Sequence, residues 1–130
     1  MIVRRLVTDL DLTVSIEGVA TVREPDGLAM SSRNQRLNAC ERRLATSLYA
    51  ALCEARASIE RGTADVSEIT RHAAAQIPGD QALRLEYLEI VDAGTLQPVP
   101  RVDSPVLVAG ALWVGHTRLI DNVKCTPPED

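Results

Sequence analysis

The chain has 130 residues, a formal net charge of −4, 45% hydrophobic and 25% charged residues, and no Phe. That length suits one modest domain with an aliphatic core, folding without disulfides or a structural metal. The acidic surplus excludes a general affinity for nucleic acid or anionic membranes, which need a basic surface, so any anion site must be local.

Ile2, Leu6 and Leu10 recur at four-residue spacing with Val3 and Val7 beside them, the stripe of an amphipathic helix. No Ser, Thr, Asp or Asn cap precedes the pattern, so the chain reads as cut from something longer. Val14 and Ile16 then alternate with Thr13, Ser15 and Glu17, which predicts a half-buried strand ending near Gly18 and Val19. A helix followed by a strand suits the end of an alternating parallel α/β sheet, but one such unit has no sheet of its own to join.

Residues 23–34, Arg-Glu-Pro-Asp-Gly-Leu-Ala-Met-Ser-Ser-Arg-Asn, break all periodicity with a Pro, an Asp-Gly step, two adjacent hydroxyls, two arginines and an Asn. This is the composition of an ordered loop, with Gly27 expected at positive φ, and ordered loops carry function. Ser31, Ser32, Arg33 and Asn34 together offer hydroxyls, a guanidinium fork and backbone N–H groups, the donors that hold phosphate oxygens. The competing reading is a capped turn whose hydroxyls and Asn satisfy only their own backbone, and chemistry alone leaves both open. A nucleophile at Ser31 or Ser32 would need a His or Lys base, and none is close in sequence.

Asn38 three residues ahead of Glu41 predicts a capping box. It opens one helix of about six turns with a stripe of Leu44, Leu48, Leu52, Ala55 and Ile59, stopped by Arg61 and Gly62. Asp65 with Glu68 opens a second helix with Val66, Ile69, Ala73 and Ile77 inward, ended by Pro78-Gly79. His72 on its polar side reads as solvated. Leu83, Leu85 and Tyr87 alternate with Arg84 and Glu86 before running into Leu88 and Ile90, a strand half exposed at first and more buried later, closed by Asp92-Ala93-Gly94. Residues 106–114 form a continuous apolar strand, Gly115-His116 a two-residue hairpin turn, and Thr117 to Val123 the antiparallel return. Along that return Leu119 and Asp121 oppose Arg118, Ile120 and Asn122, with an Arg118–Asp121 or inter-strand pair as the structural role. His116 sits exposed at the tip, and residues 126–130 read as a loose tail. Two helices on three antiparallel strands make a small α+β unit.

Cys40, Cys53 and Cys125 are odd in number, and the first two fall on roughly opposite sides of one predicted helix. They read as inert helix fillers, with no metal-type cluster. In the absence of an apolar span or leader pattern, a reducing cytoplasm is the default.

The run Thr21-Val22-Arg23-Glu24-Pro25-Asp26-Gly27-Leu28-Ala29-Met30-Ser31-Ser32-Arg33-Asn34 closely resembles the signature of the pantothenate synthetase (pantoate-beta-alanine ligase) family. The likeness continues through Val3-Arg4-Arg5-Leu6-Val7-Thr8-Asp9-Leu10 before it, and Tyr87-Leu88-Glu89 and Thr117-Arg118-Leu119-Ile120-Asp121-Asn122 after it. The resemblance implies a carboxy-terminal portion. Residues 1–34 would be a helix-strand remnant of a Rossmann-like α/β nucleotide-binding domain together with the ATP-binding loop, and residues 35–130 the lid domain. It implies an ATP-dependent, AMP-forming ligase that joins pantoate to beta-alanine through a pantoyl adenylate, with Mg2+ accompanying ATP. By position, Met30, Ser31, Ser32 and Arg33 would contact the ATP phosphates and their surroundings, and Val22 the adenine through its main chain. The family's general-acid His and its pantoate and beta-alanine residues have no counterpart here, so no catalytic residue is assigned and the partner would be the missing amino-terminal half. A homodimer is compatible with this reading. The alternative is a non-catalytic, lid-like interaction or nucleotide-binding module. A decayed lid fits less well, since the whole signature is intact.

Overall fold

The structure, a computed structural model, describes residues 2–128. Its elements are α1 (Ile2–Asp9), a 3-10 turn (Ser32–Arg36), α2 (Ala39–Leu44), α3 (Ser47–Glu60), α4 (Val66–Ala74), β1 (Leu83–Asp92), β2 (Val106–Val114) and β3 (Thr117–Cys125). The strands form one antiparallel sheet in the order β1-β2-β3, with helices against one face, which is the expected α+β class.

The sheet is built around β2. Its apolar run pairs with β1 from Leu83 opposite Val114 to Asp92 opposite Val106, with a register shift between Leu85 and Tyr87. On the other side it pairs with β3 from Val106 opposite Cys125 to Val114 opposite Thr117. Gly115 takes φ 56° at the first central position of the connecting turn, and His116 beside it is exposed. Alternation sends Leu88, Ile90, Val106, Val108, Leu112, Leu119 and Val123 into the core, where Leu52, Ala55 and Ile59 of α3 and Ile69 and Ala73 of α4 meet them. Helix α3 approaches the sheet closely at Gly110, where a Cβ would lie 2.9 Å from Leu48 Cδ1. Without Phe the core is entirely aliphatic apart from Cys125. Burial pushes the Cys125 thiol up to about 11, so it is protonated and inert. It lies on a strand rather than on a helix, Cys40 is exposed, and Cys53 is half-buried.

Three expected elements are corrected, two helices and a strand. The single helix from Asn38 is two. The capping box forms, with Asn38 Oδ1 accepting from the Cys40 and Glu41 amides and Glu41 Oε2 accepting from the Asn38 amide. The helix then breaks at Ala45 and Thr46. There Thr46 Oγ1 donates to Arg43 O at 2.8 Å and Ser47 Oγ to Leu44 O at 2.7 Å, occupying carbonyls that a continuing helix would use. The second helix starts as expected, with Asp65 accepting from the Glu68 amide, but ends at Ala74, three residues before Ile77.

The strand expected over residues 14–19 does not form. Residues 12–22 have no regular structure before the isolated bridge at Arg23, and Val14 and Val19 are 57% and 90% exposed. Alternation supplies one face of a strand but not the neighbour that must satisfy its backbone, and the only sheet among the described residues is complete without it. Helix α1 does form. Ile2, Val3 and Leu6 on it and Leu10 just past its end are exposed and Val7 is half-buried, so its apolar stripe meets no core among the described residues. Residues 126–128 carry no regular structure, while Glu129 and Asp130 of the predicted tail lie outside the described residues.

Truncating Leu52→Ala, at 0% exposure, should lower unfolding free energy by about 2–5 kcal/mol, and removing the exposed cap with Asn38→Ala by about 1 kcal/mol. Urea titrations of both variants check the order; a smaller loss at Leu52 than at Asn38 would contradict this core.

Candidate functional site

Residues 22–34 fold back on themselves. The Glu24 amide donates to Leu28 O at 2.8 Å, Gly27 to Glu24 O at 2.9 Å, and Met30 to Val22 O at 2.9 Å, closing a tight hairpin bridged between Arg23 and Ala29. The Asp-Gly step does what its chemistry predicts. Asp26 Oδ1 accepts from the Leu28 amide, and Gly27 sits at φ 91°. A Cβ on Gly27 would fall 2.3 Å from Tyr49 Cδ1, so the glycine also lets the turn lie flat on the Tyr49 ring of α3.

Two ion pairs fasten this hairpin to the helices and sheet. Arg42 on α2 meets Asp26 at 2.7 and 3.1 Å and holds its carboxyl below the usual range. The other pair is better buried: Arg23 Nη1 and Nη2 donate to Asp121 Oδ2 and Oδ1 at 2.5 and 3.0 Å, with side chains 17% and 7% exposed. The same guanidinium donates to Gly27 O at 3.1 Å and lies 3.9 Å above the Tyr49 ring. The hydrogen bonds that the guanidinium donates to Asp121 raise its pKa further above its already high ordinary value, against the opposing effect of burial.

Beyond the hairpin, Ser31 has extended backbone and its Oγ accepts from the Arg33 amide at 3.2 Å, starting the 3-10 turn. That hydroxyl is engaged by an amide rather than by a base, which removes support for a nucleophile. Asn34 Nδ2 donates to Ala29 O at 3.0 Å, while Asn34 Oδ1 is buried without a partner. So Ser31 and Asn34 are partly engaged by their own backbone, whereas Met30, Ser32 and Arg33 face solvent with Ser31. Val22, at the other foot of the hairpin, is 62% exposed. The five residues expected to bind nucleotide thus lie on one segment running from the hairpin into the 3-10 turn, with Met30, Ser31 and Arg33 beside a cavity of about 200 Å³ floored by Leu28, Ala45 and Leu48 and edged by residues 118–121 of β3, and Ser32 outside its lining.

Of the two pairings expected for Arg118, the inter-strand one forms and the pair with Asp121 does not. Residues an odd number of positions apart on a strand point to opposite faces, and each of these two pairs on its own face. Asp121 turns inward to Arg23. Arg118 turns outward and crosses β2 to Glu86 on β1, Nε–Oε2 2.9 Å and Nη2–Oε1 2.8 Å, an inter-strand pair. Trp113 Nε1 donates to the same carboxylate at 2.7 Å, and Arg84 lies over the Trp113 ring. Arg118, followed by Trp113, lowers the Glu86 carboxyl to about 2. Sequence reading did not find the Arg23–Asp121 pair. Its one signal is an Asp between Leu119 and Val123 on the inward face of a strand, a charge that burial obliges to find a counter-charge. Among the described residues no cluster of three His, Cys, Asp or Glu side chains could hold a metal, and no helix is long and apolar enough to cross a membrane. His72 is half-buried on α4.

The family model for pantoate-beta-alanine ligase matches residues 1–124. The chain belongs to the pantoate-beta-alanine ligase family. It is 46% identical over 123 residues to the pantothenate synthetase of Akkermansia muciniphila, covering 95% of this chain and 43% of that protein. The pantothenate synthetase of Thermus thermophilus superposes with a TM-score of 0.87 at 38% identity over 96% of this chain and 45% of that one. A Francisella tularensis pantoate-beta-alanine ligase, solved with beta-gamma ATP and beta-alanine, aligns with a TM-score of 0.54 at 25% identity over 93% of this chain and 37% of that one. The chain therefore spans less than half the length of these pantoate-beta-alanine ligases.

Gly27→Ala should destabilise the fold by roughly 1–2 kcal/mol from the left-handed backbone alone, and by more through the clash with Tyr49. Tyr49→Ala should remove the second part and not the first, which a denaturant double-mutant cycle reads directly. A second expectation concerns acid. The lowered Glu86 carboxyl stabilises the fold above its ordinary pKa of 4.5, and that stabilisation is lost as pH falls through about 2. Glu86→Gln should therefore flatten the fall in stability between those two values, measured by thermal melts across that range.

Proposed function

We propose that this chain is the carboxy-terminal part of an ATP-dependent ligase that joins pantoate to beta-alanine through a pantoyl adenylate, releasing AMP. The observation that carries the reading is a loop braced at Arg23, Asp26 and Gly27 that leaves Ser31, Ser32 and Arg33 exposed together. Braced donors suit transfer at a phosphate, where charge develops on oxygen in the transition state and groups already in position need not reorganise. Ser32 and Arg33 would donate to the α-phosphate region, Met30 would pack beside it, and the Val22 main chain would meet the adenine edge. Ser31 can donate through its hydroxyl hydrogen while its oxygen keeps the Arg33 amide.

Magnesium would arrive with the nucleotide, held by its phosphate oxygens, and supply charge neutralisation there. Residues 1–34 would belong functionally to the nucleotide-binding part and residues 35–130 form the lid. The exposed apolar stripe of α1 and the irregular residues 13–21 support this division, since both suit burial against an amino-terminal half. That half would supply the general acid and the pantoate and beta-alanine contacts, so the chain alone would not complete the reaction.

The test is complementation. The 130-residue chain alone should form no pantothenate, and adding a separately produced amino-terminal half of a family member should restore ATP-dependent, AMP-releasing ligation. Arg33→Ala should then slow single-turnover adenylate formation by about 10²–10³-fold, with Lys rescuing only in part because it lacks the planar fork. Pantothenate formation by the isolated chain, or an Arg33→Ala complex as fast as the parent, would overturn the corresponding assignment. Binding of the amino-terminal half without ligation would favour the non-catalytic interaction module.

A further inference from the structure

We propose that Arg23 is a positioning residue: anchored on Asp121, it fixes both feet of the signature hairpin and so sets where residues 30–33 stand. This rests on the reading that those residues meet the ATP phosphates. The hairpin has few internal supports, and most of them converge beside Arg23. The Met30 amide is held by the carbonyl of Val22, the residue before Arg23, and the turn carbonyl of Gly27 accepts directly from Arg23 Nη1 at 3.1 Å. The guanidinium therefore holds the turn directly, and the backbone that carries it lies next to the closing bond.

Asp121 is the fixed end. It stands opposite Gly110 on β3, between the buried Leu119 and Val123, and β3 is paired with β2 along its whole length. The chain of support thus runs from a rigid strand, through a bidentate charged pair, to a loop carbonyl. A buried pair of this kind gives little stability over an apolar filler of the same volume. It does impose direction: two parallel N–H donors on a planar fork fix the guanidinium in its plane and along its axis, which Met or Leu could not do. The Tyr49 ring 3.9 Å beneath closes the remaining side. The second pair, Arg42 with Asp26, is far more open, with side chains 30% and 47% exposed, and serves as an internal control for simple loop attachment.

The experiment uses the 130-residue chain and amide hydrogen exchange resolved by residue. The loop amides of Glu24, Gly27 and Met30 report the hairpin, and those of Val106–Val114 report the fold. Arg23→Met and the near-isosteric Asp121→Asn should speed exchange of the loop amides by about tenfold or more with β2 unchanged, Arg23→Lys should recover part of the protection, and Arg42→Ala should change it by less than about threefold. ATP with magnesium should shift the Ser31, Ser32 and Arg33 amides of the parent chain and bind several-fold more weakly to Arg23→Met. Unchanged loop exchange, or β2 amides accelerated by the same factor, would overturn the proposal, the second result making the pair a plug that merely holds the fold. Equal ATP affinity in parent and Arg23→Met would overturn it as well. A parent chain whose loop amides ignore ATP would instead count against the phosphate-binding reading, while the exchange comparison still decides whether Arg23 sets the loop.

Discussion

The bidentate pair between Arg23 and Asp121 joins two parts of the chain that share no secondary structure, and the placement of the signature loop depends on it. Its logic begins with Asp121, a carboxylate directed at the core face of a strand. An uncompensated charge there would cost several kcal/mol, by order of magnitude, and removing one partner of such a pair costs about 3–5 kcal/mol. The strand therefore demands a cation from outside the sheet. Arg23 satisfies the demand, and the hairpin follows it in. Tyr49 and Gly27 complete the contact, one by offering a ring face to the guanidinium, the other by leaving that ring room.

The outer face of the same strand works differently. Arg118, one step around the pleat from Leu119, reaches across β2 to Glu86, which also receives Trp113 Nε1. Three side chains from three strands thus meet at one carboxylate near the hairpin end of the sheet. Of the three, Arg118 also lines the cavity beside Met30, Ser31 and Arg33. Each pair is partly exposed, so the network adds geometric definition more than stability. One face of β3 holds the loop, and the other holds β3.

In contrast to this braced region, everything before Val22 is held by little. Helix α1 contributes an Arg5–Asp9 pair within itself and an apolar stripe that meets no core among the described residues, and residues 12–22, all exposed but the half-buried Ile16, run to the hairpin. A chain so arranged presents its donors at a boundary, with a packed α+β body on one side and uncovered apolar surface on the other. That is the arrangement expected where a second body completes a cleft, and it fits the share of the family's length that these residues span.

Sequence alone determined what depends on near neighbours. The Asn38 capping box, the Asp65 cap, the positive φ of Gly27 and Gly62, the Gly115 turn and the three strands, two of them alternating and the middle one continuously apolar, follow from residues a few positions apart, because caps, turns and pleats are local geometry. The loop at residues 23–34 was legible for the same reason, whereas whether its hydroxyls and Asn34 face solvent or their own backbone was not. Tertiary structure decided the rest. Residues 14–19 alternate like a strand yet lack a partner edge, which no window of sequence reports. The helix from Asn38 breaks because hydroxyls at Thr46 and Ser47 take carbonyls of the preceding turn, a competition that propensity leaves balanced. Arg23 and Asp121 stand 98 residues apart, and the sequence could say that an inward Asp needs a cation but not which of many arginines would reach it. That choice belongs to the fold, since only the packed sheet sets which distant side chain enters the buried site where the charge must be paired.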